Sequence, residues 1–285
     1  MHTVLPRIFL DIWQLGFLQR AFLAGLVVAA VCPAVGLFLV VRRLSLLGDC
    51  LAHVSLAGAA LGLAVGVNAN LGAMLAALGA ATGLEYLRRA YGRQADLALA
   101  VTMAGGVGVA AVLTGLGRVN LTVVMGYLFG SLVAVNREEL LLIAMIGGAV
   151  AVTLFVFYHK LFYLALDEEG ARAAGIPAGP LSLCYLLLAG AAVSLTMRLV
   201  GALLLASLLT LPAACALALA QSFRQALLLS IAFAETATVA GLVLAYYLGT
   251  APGGTIVLSA IGLLLLVLCF KPLMLYYRRR KQEGE

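Results

Sequence analysis

Residues 17–66 read FLQRAFLAGLVVAAVCPAVGLFLVVRRLSLLGDCLAHVSLAGAALGLAVG. Two apolar runs meet at Arg42-Arg43, and each is about 20 residues long, the length an α-helix needs to cross a hydrocarbon core of about 30 Å. Membrane β-strands would instead alternate in segments of about 10 residues. The stretch therefore predicts two antiparallel membrane helices with a basic turn between them. Asp49 and His53 stand near the start of the second run. At i and i+4 they share one helix face. A charge at the centre of a membrane helix costs about 2.5–3.5 kcal/mol on insertion scales, so such residues mark a site by default.

The rest of the 285 residues follows the same pattern: 64% are hydrophobic and 11% charged, and the mean hydropathy is +1.13. Soluble domains are about 45–50% apolar and about 25% charged, so a soluble protein with a large core is excluded for want of polar surface. The net charge of +6 reads as Lys and Arg at membrane edges rather than as a nucleic-acid surface. The five cysteines, Cys32, Cys50, Cys184, Cys215 and Cys269, are scattered. They form no zinc ribbon or disulfide framework, and at least four read as small apolar fillers. The opening residues are interrupted by Arg7, Asp11 and Gln14 and read as an interfacial segment anchored by Trp13, not as a cleavable signal.

Further spans are predicted at 71–87, 96–116, 139–158, 180–197, 199–220, 226–248 and 254–275. The run 121–135 is too short to cross and is expected to be re-entrant or tilted. Asn136, followed by Glu138 and Glu139, predicts a helix N-terminus. Between 166 and 177 lies the longest polar interruption. It predicts a short amphipathic helix with Asp167 as N-cap, Gly175 near its end and Pro177 as a stop. Basic residues place this loop, Arg42, Arg43, Arg88, Arg89, Arg93 and the tail Arg278–Lys281 in the cytoplasm if 121–135 does not cross, with the N-terminus outside. The expected fold is an all-α integral membrane protein, a polytopic helical bundle of about eight to nine transmembrane helices. It forms one domain over 1–285, with a core at 17–277, the cytoplasmic helix at 166–177 and a basic tail at 278–285.

Of the 12 acidic residues, all but Asp49 and Glu235 are read at run ends, turns or tails, Glu85 included. A carboxylate and an imidazole on one face are half of a site for zinc, manganese or iron(II). They could equally hydrogen-bond each other as packing contacts, and the spacing leaves both readings open. Cys50 is a candidate third ligand. Glu235 is a candidate ligand, a proton site or a packed polar contact. His2 and His159 read as terminal or interfacial. No G-x-x-x-x-G-K-[ST] loop is present, and the only lysines are Lys160, Lys271 and Lys281, so ATP hydrolysis at a P-loop is excluded. H-E-x-x-H, G-x-S-x-G and dinucleotide motifs are absent as well.

Several segments together resemble one family. Arg42-Arg43-Leu44-Ser45-Leu46-Leu47-Gly48-Asp49-Cys50-Leu51-Ala52-His53, Tyr127-Leu128-Phe129-Gly130-Ser131-Leu132, Asp167 to Pro177, Val200-Gly201-Ala202-Leu203-Leu204 to Ala214, and Tyr246 to Leu258 are similar, in order, to the membrane permease of bacterial zinc, manganese and iron ABC uptake transporters. The resemblance implies a permease subunit of an ATP-driven importer in the bacterial cytoplasmic membrane, with no permanent cofactor. It implies two copies of the chain around one path, separate ATP-binding cassette ATPase subunits below, and an extracytoplasmic metal-binding protein above. Asp49 and His53 match the family's metal pair. The segment with Asp167, Glu168, Glu169, Arg172 and Gly175 matches its coupling helix to the ATPase. The chain departs from the family at Cys50 (usually Ala), Ala52 (usually Ser) and Ala57 (usually Pro), and Glu235 lies outside the family pattern. Cys50 would bias the site toward softer metals such as zinc. The readings set against this one are a secondary cation/proton carrier using Asp49 and Glu235, and an ABC permease for a metal chelate such as a siderophore.

Overall fold

The structure is a computed structural model and describes residues 16–91, 95–131 and 135–282. Trp13, Arg7, Arg93 and the last three residues of the tail lie outside the described residues. In chain order the helices are α1 Gly16–Val41, α2 Leu46–Val65, α3 Ala69–Tyr91, α4 Ala95–Gly115, α5 Leu121–Phe129, α6 Arg137–Val156, α7 Tyr158–Leu166, α8 Glu168–Ala173, α9 Ala178–Val200, α10 Ala202–Leu219, α11 Phe223–Leu248 and α12 Pro252–Gln282. Among the described residues no strand occurs.

Helix ends are set by local chemistry. Helix α1 stops where Arg43 takes φ 60. Its N–H bonds to the Val40 carbonyl at 3.0 Å and that of Leu44 to the Leu39 carbonyl at 2.8 Å. This is the paired-bond termination usually built around glycine, here with arginine in the left-handed position. The sharp reversal lays α2 antiparallel to α1. At α6 the expected cap is present as a full capping box. Asn136 Oδ1 accepts from the Glu139 N–H at 2.8 Å and a Glu139 carboxylate oxygen accepts from the Asn136 N–H at 3.2 Å. Asn136→Ala is expected to cost about 1 kcal/mol, read as a lower thermal midpoint of the detergent-solubilised protein.

Contacts between distant residues fix the topology. Arg42 after α1, Glu85 on α3, Glu168 on α8 and Ser182 on α9 are bonded together. The ends of α1 and α3 and the start of α9 therefore share one end of the bundle, the cytoplasmic end by its basic residues. At the opposite end Tyr127 of α5 donates to Asn70 Oδ1 at 3.1 Å and Asn70 donates to Glu139 at 3.4 Å. The α3 start, α5 and the α6 start thus lie together. Helix α5, nine residues or roughly 13 Å long, enters and leaves at the outer end. It does not cross from one end to the other, as expected of a run too short to span.

Among the described residues seven helices, α1, α2, α4, α6, α9, α11 and α12, are long and apolar enough to cross a membrane on length and composition. Helix α3 also joins the two ends, through Asn70 at one and Glu85 at the other, and α10 is a shorter apolar helix, so the count is roughly the expected one. Helix α3 falls below the hydropathy of the others because it carries Glu85, Arg88 and Arg89. That placement corrects the reading of Glu85 as an end residue: it is buried, 3% exposed, within α3. The last span is also longer than expected, since α12 continues to Gln282 through the first part of the basic tail.

Helices α1 and α2 are the inner ones, and α4, α6 and α12 lie outside. Outer faces carry Val101, Val112, Val152, Phe155, Leu258 and Leu265 exposed, a surface suited to lipid or to a second copy. Inside, glycines let backbones touch. Gly58 on α2 and Gly72 on α3 face each other so closely that a Cβ on either would strike the other's carbonyl. Gly36 on α1 meets the Leu209 carbonyl of α10 in the same way. Gly130 and Gly201, both with positive φ, interlock the end of α5 with the α9–α10 break. Such close crossings replace the hydrophobic drive that helices lack against lipid. Tyr185 of α9 adds one buried polar tie, donating to the Val35 carbonyl of α1 at 2.6 Å.

Candidate metal site

Asp49 lies in the first turn of α2 and His53 one turn later. Their facing atoms, Asp49 Oδ1 and His53 Nε2, are 3.6 Å apart, with the side chains 31% and 12% exposed respectively. At that distance they are oriented toward each other without a hydrogen bond. The other imidazole nitrogen, Nδ1, is buried and has no partner. Buried polar atoms are nearly always satisfied, so an exception needs a reason. Among the described residues, hydroxyls of Ser55, Thr238 and Ser259 are the other buried side-chain atoms in this position, and His53 Nδ1 is the one whose side chain also faces a carboxylate.

The surrounding helices hold this face in place. Helix α4 crosses α2 at Gly106, where a Cβ would stand 2.9 Å from the carbonyl carbon and oxygen of His53. One turn below, Gly48 accepts Leu209 of α10, whose Cδ1 would lie 2.6 Å from a Cβ there. The α2 backbone is thus held by backbone contact beside His53, while at Gly48 a Leu209 methyl fills the space a side chain would take.

Cys50 is turned into the core and is 1% exposed. All five cysteines are free, with Cys32 and Cys215 also buried and Cys269 exposed. Glu235 is half-buried on α11, which packs chiefly on α1, α10 and α12. Among the described residues no three His, Cys, Asp or Glu side chains converge as a metal site. The chain brings together Asp49 and His53 and does not bring Glu235 to them.

Around α8 the expected N-cap is present, with Asp167 Oδ1 accepting from the Gly170 N–H at 2.9 Å. Glu169, Arg172 and Gly175 are exposed, and Glu168 is half-buried. One Glu168 oxygen takes a 2.7 Å bond from Arg172 and the other a 3.1 Å bond from Arg42. Arg42 also donates to Ser182 Oγ at 3.2 Å, and Ser182 donates to Glu85 at 3.1 Å. Reading the sequence alone did not find this cluster. Its one signal was a single acid, Glu85, just before a basic pair at a span end.

A cavity of about 300 Å³ opens at the outer end, lined by Asn68, Asn70, Glu138, Glu139 and Ser194 among others. Asn68 and Asn70 stand between two apolar runs, where such residues ordinarily form a turn. Their amides join the Glu138 and Glu139 carboxylates on one wall of a hollow otherwise lined by Leu71, Met74, Leu142 and Ile143, on the side away from α8.

The model of the ABC 3 transport family matches residues 14–271. A "Probable metal transport system membrane protein" of Treponema pallidum is 35% identical over 255 residues, 90% of this chain and 96% of its own. The "Manganese import system permease protein ScaB" of Streptococcus gordonii is 28% identical over 264 residues, 93% of this chain and 95% of its own. Among solved structures, "PsaBC from Streptococcus pneumoniae in complex with Fab" superposes with a TM-score of 0.83 at 29% identity, covering 92% of this chain and 95% of that one.

Proposed function

Because the chain belongs to the ABC 3 transport family, we propose that it is the membrane permease of a divalent transition-metal importer whose cargo is held by Asp49 and His53. The observation that carries this reading is the unbonded pair. On an inner helix of a membrane bundle, a carboxylate and an imidazole stand 3.6 Å apart without a hydrogen bond, and the second imidazole nitrogen is unpartnered.

The chemistry follows from the donors. A neutral imidazole and a carboxylate both bind borderline metals, and an N/O set accepts zinc, manganese or iron(II). One chain offers two donors, whereas a tetrahedral site takes four. Two copies about a two-fold axis would supply two carboxylates and two imidazoles. The two carboxylates would also neutralise a divalent charge inside the membrane. A mixed set of this kind releases metal more readily than four thiolates would, as a transport site must. Cys50 and Glu235 stand outside the ligand set.

The energy comes from separate ATP-binding cassette subunits, since the chain carries no P-loop. Helix α8 is the surface that meets them, with Glu169, Arg172 and Gly175 turned outward. A metal-delivering protein docks at the opposite end, where the acid-lined cavity opens. The test is uptake of radioactive Mn²⁺ and Zn²⁺ into vesicles holding the permease, its ATPase and its binding protein. Saturable, ATP-dependent uptake of one of them, competed by the unlabelled ion, is expected. No ATP-dependent uptake of either metal would overturn the reading.

A further inference from the structure

The cluster at the cytoplasmic end carries a role beyond docking. It is a continuous polar chain through four elements. Exposed Arg172 on α8 holds one oxygen of Glu168. The other oxygen of Glu168 holds Arg42, which ends the α1–α2 hairpin and is 6% exposed at its side chain. Arg42 reaches Ser182 on α9, and Ser182 reaches the buried Glu85 on α3.

Buried ion pairs are poor stabilisers, because desolvation offsets most of the attraction, and their best-attested use is to fix register. Position is what this one fixes. Helix α8 packs its backbone on α7 and α9, and the Glu168–Arg42 pair links it by side chains to the α1–α2 turn. Arg42 directly precedes Arg43, held at φ 60, and the turn then feeds α2 and Asp49. A rigid reversal passes a displacement on rather than absorbing it.

Resting on the permease reading above, we infer that Glu168 and Arg42 are positioning residues that transmit movement of the ATPase-facing helix α8 to the metal-bearing helix α2. Glu168 is then not itself a docking contact; Glu169 and Arg172 are. Ser182 and Glu85 hold the far side of the Arg42 guanidinium, so a pull at Glu168 swings the turn instead of only rotating the side chain. Charge-assisted bonds at both ends make the link stiff and directional.

The experiment measures metal uptake and ATP hydrolysis together in vesicles carrying the full assembly, with Mn²⁺ and Zn²⁺ as probes. Glu168→Gln keeps the shape and removes the charge. It is expected to lower metal moved per ATP hydrolysed by about 10-fold, the worth of one charge-assisted bond. ATPase co-purification should stay as in the wild type, and the protein should remain folded at the assay temperature with a lowered thermal midpoint, because buried Arg42 loses a counter-charge. Arg42→Lys, which keeps the charge, should retain more of the ratio than Arg42→Gln. A wild-type ratio in Glu168→Gln would overturn the inference. So would loss of the ATPase from that variant, which would make Glu168 a docking residue, or its unfolding, which would make the pair merely structural. Failure of the wild-type assembly itself to move metal would instead strike the permease reading.

Discussion

Asp49→Ala is expected to cut ATP-driven metal uptake at least about 100-fold while the permease still folds and still binds its ATPase. The size follows from symmetry. Loss of an outer-shell partner of a metal ligand typically costs about 10–100-fold, and here a ligand itself disappears, twice, because both copies carry the substitution. The fold should not notice. Asp49 is partly exposed and its facing atom makes no hydrogen bond, so removing it orphans nothing. His53→Ala should match it in uptake. Measurement of uptake, ATPase co-purification and thermal midpoint on one preparation separates the outcomes. Wild-type uptake by Asp49→Ala would sink the ligand assignment.

The second large effect lies in packing. Gly58→Val should destabilise the protein by about 3 kcal/mol or more, the upper end of overpacking costs. A Cβ at Gly58 strikes the Gly72 carbonyl and the Ala76 Cβ of α3, and backbone cannot turn aside as a side-chain tip can. Either α3 must separate from α2 or α2 must shift along its length, and His53 would move with it. Gly79→Ala on the same α3 is the control, since nothing lies within 4 Å of a Cβ there. The check is the fraction folded after detergent extraction, followed by metal uptake. Equal yield and midpoint for Gly58→Val and Gly79→Ala would contradict the close crossing.

Much of this architecture was legible because membrane helices are written locally. Run length set the spans, and Asn136 and Asp167 set the caps. The Asp49–His53 face followed from helical periodicity, and the remaining question of packing contact or ligand was one of distance, which no sequence states. What stayed hidden was long-range. Glu85 looked like an end residue because Arg88 and Arg89 follow it, yet it bonds to Ser182, 97 positions on. Arg42 looked like a topology signal only, yet its partner Glu168 is 126 positions away. Glu168 looked like its neighbours Asp167 and Glu169, and the six-residue helix turns the three to different tasks: one caps, one reaches inward, one faces out.

The glycine crossings bear on how such a chain can change over time. Gly58, Gly72 and Gly106 place α2 by backbone contact with α3 and α4, so its position there does not depend on the side chains of the face that carries Asp49 and His53. Residues 49 and 53 could therefore be exchanged for other donors with little change to the bundle around them, whereas Cys50 is packed in the core. Variation in cargo would then be written at a few positions of one helix, on a scaffold that tolerates it there and forbids it at the glycines.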